Sequence, residues 1–163
     1  MTRRLIGAIL LGWLAGSPLR AQMSLTVLSS PPTFTINSVA AYRSGVTFDH
    51  ATLRVNMPGS GQDKDYTVSV RASGNAIQGA SSIPITLFTM QVITVLTTSD
   101  GGIRPLVRLS TATQTLMTTR VKPGNSNTYT GDLTIRYRLD GGTALLKPAG
   151  SYSTTLTFTL TVL

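Results

Sequence analysis

Between Gly150 and Leu163 apolar and polar residues alternate almost without exception. Tyr152, Leu156, Phe158, Leu160 and Val162, joined by Thr154, fall on one side, and Ser153, Thr155, Thr157, Thr159 and Thr161 fall on the other. Side chains of a β-strand project to opposite faces with period two, so this segment is read as a strand with one face on an apolar core. Its β-branched and aromatic residues suit that conformation. A strand of this kind needs a partner, because an open edge carrying Phe158, Leu160 and Val162 would invite further chains to pair with it. How the segment is paired is therefore the question on which function turns.

The rest of the chain repeats the pattern in shorter pieces. Met23 to Leu28 and Thr33 to Val39 read as strands separated by Ser29-Ser30-Pro31-Pro32, where two prolines interrupt any ladder. Leu53, Val55 and Met57 alternate within Val46 to Met57. Tyr66, Val68, Val70 and Ala72 alternate with Thr67, Ser69 and Arg71, and Leu133, Ile135, Tyr137 and Leu139 alternate with Thr134, Arg136 and Arg138. Ile83 to Leu87, Met90 to Leu96, Ile103 to Leu109 and Thr113 to Thr119 are further, less regular strand candidates. Turn signals stand between them, among them Asp100-Gly101-Gly102 and Asp140-Gly141-Gly142. No segment carries a helical period. All six acids are Asp, none is Glu, and Thr is abundant, a balance that disfavours helices. The expectation is an all-β, immunoglobulin-like antiparallel β-sandwich of about seven to nine strands.

Residues 1–21 read as a signal peptide. Arg3 and Arg4 form a basic start, Leu5 to Gly16 an apolar run containing Trp13, and Ser17 to Ala21 a cleavage region with the cut expected after Ala21. The apolar run of about twelve residues is short of the roughly 20 that a membrane-spanning helix needs, so no transmembrane anchor is expected after processing. Residues 22–163 then form a single domain, exported to the periplasm, cell surface or medium of a bacterium, Gram-negative by expectation. Loss of Arg3, Arg4 and Arg20 lowers the formal charge from +8 to +5. The remaining cations are scattered and do not interleave with aromatics, which argues against nucleic acid and leaves a solvated surface that would favour anionic glycan or lipid headgroups.

Chemistry is hard to find. There is no cysteine, hence no disulfide and no thiolate metal site. His50 is the only histidine, and its neighbour Asp49 would point to the opposite face of a strand, unable to orient it as a catalytic triad requires. His50 is thus read as a loop or surface residue. The acids, Asp132 apart, lie beside turn-forming or loop-like residues, so turns explain them better than a pair of glycosidase carboxyls. Asp63-Lys64-Asp65 lacks the glycine and the distal acid of a calcium loop. No catalytic residue, cofactor or metal site is expected, and the protein is read as a non-enzyme.

The C-terminal segment resembles the end of chaperone-usher pilus subunits, which finish in an alternating strand with a glycine fourteen residues from the end, the place of Gly150. Pro148 to Thr157 is also similar to the closing motif of secreted spore-coat-U-type domains. The resemblance covers mainly residues 144–163. It departs from many pilins at Val162, where they carry an aromatic, and in lacking their cysteine pair. It implies a sandwich missing its last strand, completed by a neighbour's N-terminal extension. Met23, Leu25 and Val27 have the pattern and place of such a donor strand. Gly150, Tyr152, Leu156, Phe158, Leu160 and Val162 would belong to the C-terminal pairing strand. The implied partners are like subunits and a periplasmic chaperone and usher, in a surface fibre or coat. The other reading of the same residues is a self-complete surface module whose first strands are internal and whose loops bind glycan or protein.

Overall fold

The computed structural model describes residues 23–29, 32–58, 64–94, 99–121 and 128–163. The expected leader, residues 1–21, lies outside them. Among the described residues no helix is long and apolar enough to cross a membrane. The alternating segments become strands β1 (Ser24–Val27), β2 (Val46–Pro58), β3 (Lys64–Ala72), β4 (Ala76–Gln78), β5 (Ser81–Ile83), β6 (Phe88–Val92), β7 (Ser99–Ile103), β8 (Val107–Arg108), β9 (Gln114–Val121), β10 (Thr128–Leu139) and β11 (Leu156–Val162). One sheet has the order β1-β2-β10-β6-β8 and a second the order β11-β3-β9-β7, with β4-β5 forming a small ribbon. Their pairings are antiparallel, and the whole is a predominantly β, curled half-barrel.

The core lies where the inward rows of both sheets meet. Leu53 and Val55 of β2, Leu133 and Ile135 of β10, and Val68 and Val70 of β3 are at most 1% exposed. Each such side chain contributes about 1.5–3 kcal/mol through removal of its apolar surface from water. Two bulges shift the inward row partway along a strand. In β2, Ala51 pairs with Thr134 and Leu53 with Leu133, leaving Thr52 as the extra residue. Val46, Phe48 and His50 point inward on one side of it, Leu53 and Val55 on the other. The buried Thr52 hydroxyl accepts a hydrogen bond from Tyr137 Oη (2.8 Å) and donates to the His50 carbonyl (3.2 Å). In β9 the same device at Leu116 buries both Leu116 and Met117.

Several expectations are corrected. Thr33 to Val39 is not a strand: residues 32–37 run outside any ladder and lead into a helix, α1 (Val39–Ser44). Ser38 caps that helix by accepting from the Ala41 amide, and it ends at Gly45 with φ +80°, where a Cβ would collide with the Leu139 carbonyl. Short-range capping outweighed the alternation of Phe34 and Ile36. Asp100-Gly101-Gly102 lies within β7 rather than in a turn. Ile83 closes β5, and Ile85–Leu87 forms a single 3-10 turn. Of Ile103 to Leu109 only Ile103 and Val107–Arg108 are strand. The C-terminal ladder begins at Leu156, with Ser153 making one isolated bridge to Ile77.

Candidate functional site: an unpaired strand edge and its groove

Among the described residues β11 pairs with β3 alone. The Ser73 amide donates to the Thr155 carbonyl and the Leu163 amide to the Asp65 carbonyl, both at 2.8 Å. These bonds bracket the ladder, and bonded and non-bonded residue pairs alternate along an antiparallel pair. Thr157, Thr159 and Thr161 therefore spend their backbone groups on β3. The N–H and C=O of Leu156, Phe158, Leu160 and Val162 point the other way, where no described strand pairs with them. The side chains of Leu156, Phe158 and Leu160 lean on the core and are only half-buried, and Val162 is 47% exposed.

Beside the start of this edge lies a groove of about 880 Å³, lined by Phe34, Met90, Leu139, Leu145, Tyr152 and Leu156 among others. Segment 32–37 runs along it. Phe34 and Ile36 turn inward, Thr33, Thr35 and Asn37 outward, and no backbone bond ties residues 33–37 to another described segment. Side chains alone hold it, chiefly Phe34 meeting the rings of Phe48 (centroids 5.3 Å) and Phe88 (5.7 Å) edge-on. The Tyr42 hydroxyl at the groove wall is buried without a partner.

The expected donor residues sit in β1. That strand pairs with β2 over Leu53–Asn56, so Met23 and Leu25 touch the core while Val27 is 57% exposed. β1 also approaches β11 across the open side. After Leu28, whose amide donates to the Thr52 carbonyl, the edge of β2 from Val46 to Ala51 carries no second ladder among the described residues. Gly150 has φ +153° and lies under the Gln78 side chain. Tyr152 stands ahead of the ladder, packed against the cluster of Ala76, Ile83, Leu139 and Leu145, with its hydroxyl donating to the Pro148 carbonyl.

His50 is not in a loop. It lies half-buried in β2, where Nδ1 is 3.1 Å from Ser29 Oγ, which also donates to the Ala51 carbonyl. Asp49 does not orient it. Both Asp49 oxygens are taken by Arg136, at 2.7 Å each. The reading of Asp49 and Asp65 as turn formers is likewise corrected. Asp49, Asp65 and Asp132 are strand residues, each gripped two-fold by the arginine directly across the ladder: Arg136, Arg120 and Arg54. In each, the guanidinium hydrogen bond holds the carboxyl below its usual range. These exposed cross-strand pairs were the main feature hidden in the sequence, since register decides which Asp meets which Arg. Among the described residues no three potential ligands gather as a metal site. Comparison with known proteins gave no matching family model, no matching curated protein and no matching solved structure.

Proposed function

We propose that the protein is a non-catalytic subunit of a surface fibre or coat, assembled by strand addition at the free edge of β11. The observation that carries this reading is the edge itself. Leu156 to Val162 is a seven-residue strand with no charge, no proline and no bulge, the devices by which proteins blunt an exposed edge. Strand addition would satisfy the outward N–H and C=O groups of Leu156, Phe158, Leu160 and Val162, and alternate apolar side chains of the added strand would enter the adjoining groove. The donor in this reading is Met23, Leu25 and Val27 of a second copy. β1 is short, and in the sequence Pro31-Pro32 follow it. In this reading the two sheets are an immunoglobulin-like sandwich lacking an edge strand.

The pairing of β1 with β2 in the same chain favours a second reading, a self-complete surface module. Deleting Gln22 to Leu28 separates the two. Strand addition predicts a folded variant that no longer assembles and that binds a peptide of the deleted sequence. A self-complete module predicts a destabilised monomer, and intact protein that stays monomeric and ignores the peptide overturns the fibre reading.

A further inference from the structure

The outward face of the β2-β10-β6 sheet carries a second site, which shares Thr89 and Arg138 with the lining of the groove beside β11. Register places Thr47, Arg138, Thr89 and Arg108 in one row across four strands, and Asp49, Arg136 and Gln91 in the next. Between them is an open cavity of about 400 Å³, lined by Thr47, Asp49, Thr89, Leu106, Arg136 and Arg138. Three features there are unexplained by folding. Thr89 is 5% exposed and its hydroxyl has no hydrogen-bond partner, an omission that native structures rarely carry without cause. Arg138 bonds Asp140 only through Nε, which leaves its terminal nitrogens unused, and Asp140 is shared with Arg108. Leu106, 66% exposed, stands at the wall as an apolar surface.

We propose that this cavity binds a uronic-acid saccharide. The shared Asp140 and the paired Asp49 leave one positive charge uncompensated among Arg108, Arg136 and Arg138. That matches a single carboxylate, received by the free end of Arg138 with Thr89 as a further donor. Asp49 repels a group that carries two charges on one centre, such as phosphate, more than a lone carboxylate, and its remaining lone pairs accept sugar hydroxyls. Leu106 offers an apolar platform to the C–H face of a pyranose ring. Carboxylate, hydroxyls and an apolar face occur together in a uronate.

Titration calorimetry with oligogalacturonate, and with its methyl ester as the neutral counterpart, tests the site. The acid binds and the ester binds about tenfold more weakly or not at all. Arg138→Ala weakens binding about tenfold and Thr89→Val about threefold. Thr89→Val also raises Tm, because it removes a buried hydroxyl that lacks a partner in the free protein. Arg54→Ala, on the same face but outside the cavity, leaves binding unchanged and controls for diffuse charge. Absence of binding at millimolar oligogalacturonate overturns the proposal. So does equal binding of the ester, an Arg54→Ala loss as large as that of Arg138→Ala, or a Thr89→Val variant that is stabilised and binds as before.

Discussion

β10 and β11 carry the same alternation and live in different surroundings. Leu133, Ile135, Tyr137 and Leu139 are at most 4% exposed, because β10 has β2 on one side and β6 on the other and faces the opposite sheet. Leu156, Phe158 and Leu160 are half-buried on a strand whose one ladder among the described residues is with β3. Their outward rows differ as well. β10 presents Asp132, Arg136 and Arg138, each in an ion pair, whereas β11 presents only threonines. Period two tells which side chains face the core. It does not tell how many neighbours a strand has, and that number separates a structural strand from one available for assembly.

The largest expected effect lies in the enclosed strand. Ile135→Ala should lose about 2–5 kcal/mol, since it opens a cavity between two packed sheets. Phe158→Ala, although it deletes more atoms, should lose only about 1–2 kcal/mol in the monomer, below the usual cost of a fully buried phenylalanine. Urea denaturation of both variants measures the difference. A Phe158 cost equal to that of Ile135 would mean that β11 is already enclosed. If strand addition occurs, the Phe158 cost should grow in the assembled state.

A smaller effect tests the bulge that aligns β2 with β10. Burial pushes the Tyr137 phenol up to about 12, with the Thr52 hydrogen bond acting in the opposite direction. The raised folded pKa means full stability below the unfolded value near 10, and progressive loss as pH rises from there through the folded value. Tyr137→Phe should lose about 1 kcal/mol at pH 7 and flatten that alkaline decline, as seen in Tm between pH 9 and 11. An unchanged decline would place its source elsewhere. On the acid side the sign reverses. Asp49, Asp65 and Asp132, held low by their arginines, contribute stability above the unfolded carboxylate range that is lost as pH falls through their folded values.

Much of the inner architecture was legible because it depends on period alone. β2, β3, β10 and β11 follow the alternation of Leu53, Val68, Ile135 and Phe158 and their neighbours. The parts that were not legible depend on what meets what. Thr52 and Leu116 reverse the inward row at bulges, which period-two counting cannot follow. Phe34 and Ile36 alternate as a strand would, yet no neighbour offers them a ladder, and the Ser38 cap with Gly45 turns the chain into α1. Asp49 and Asp65 looked like turn residues until register placed an arginine opposite each, and the pairing of Asp132 with Arg54 depends on register in the same way. The candidate edge was visible as a strand at Leu156 to Val162, but its lack of a second partner is a property of sheet order, which no local pattern encodes.

The smallest expected effect belongs to the outward row of β11. Thr157→Ala should change stability by no more than about 0.5 kcal/mol, because its side chain is exposed and its backbone bonds to Arg71 of β3 survive the substitution. Amide exchange gives that near-silent position its meaning. In the monomer the amides of Thr157, Thr159 and Thr161 should exchange slowly, and those of Phe158, Leu160 and Val162 fast, since only the first set is bonded to β3. Thr157→Ala should preserve this odd-even contrast. In β10, with a ladder on both sides from Ile135 to Leu139, odd and even amides should both be slow. Capture of a strand at the edge should slow Phe158, Leu160 and Val162 and erase the contrast in β11, making the two strands alike. Uniformly slow exchange along β11 in a protein shown to be monomeric would mean that its edge is already covered, and would remove the site on which the proposed assembly depends.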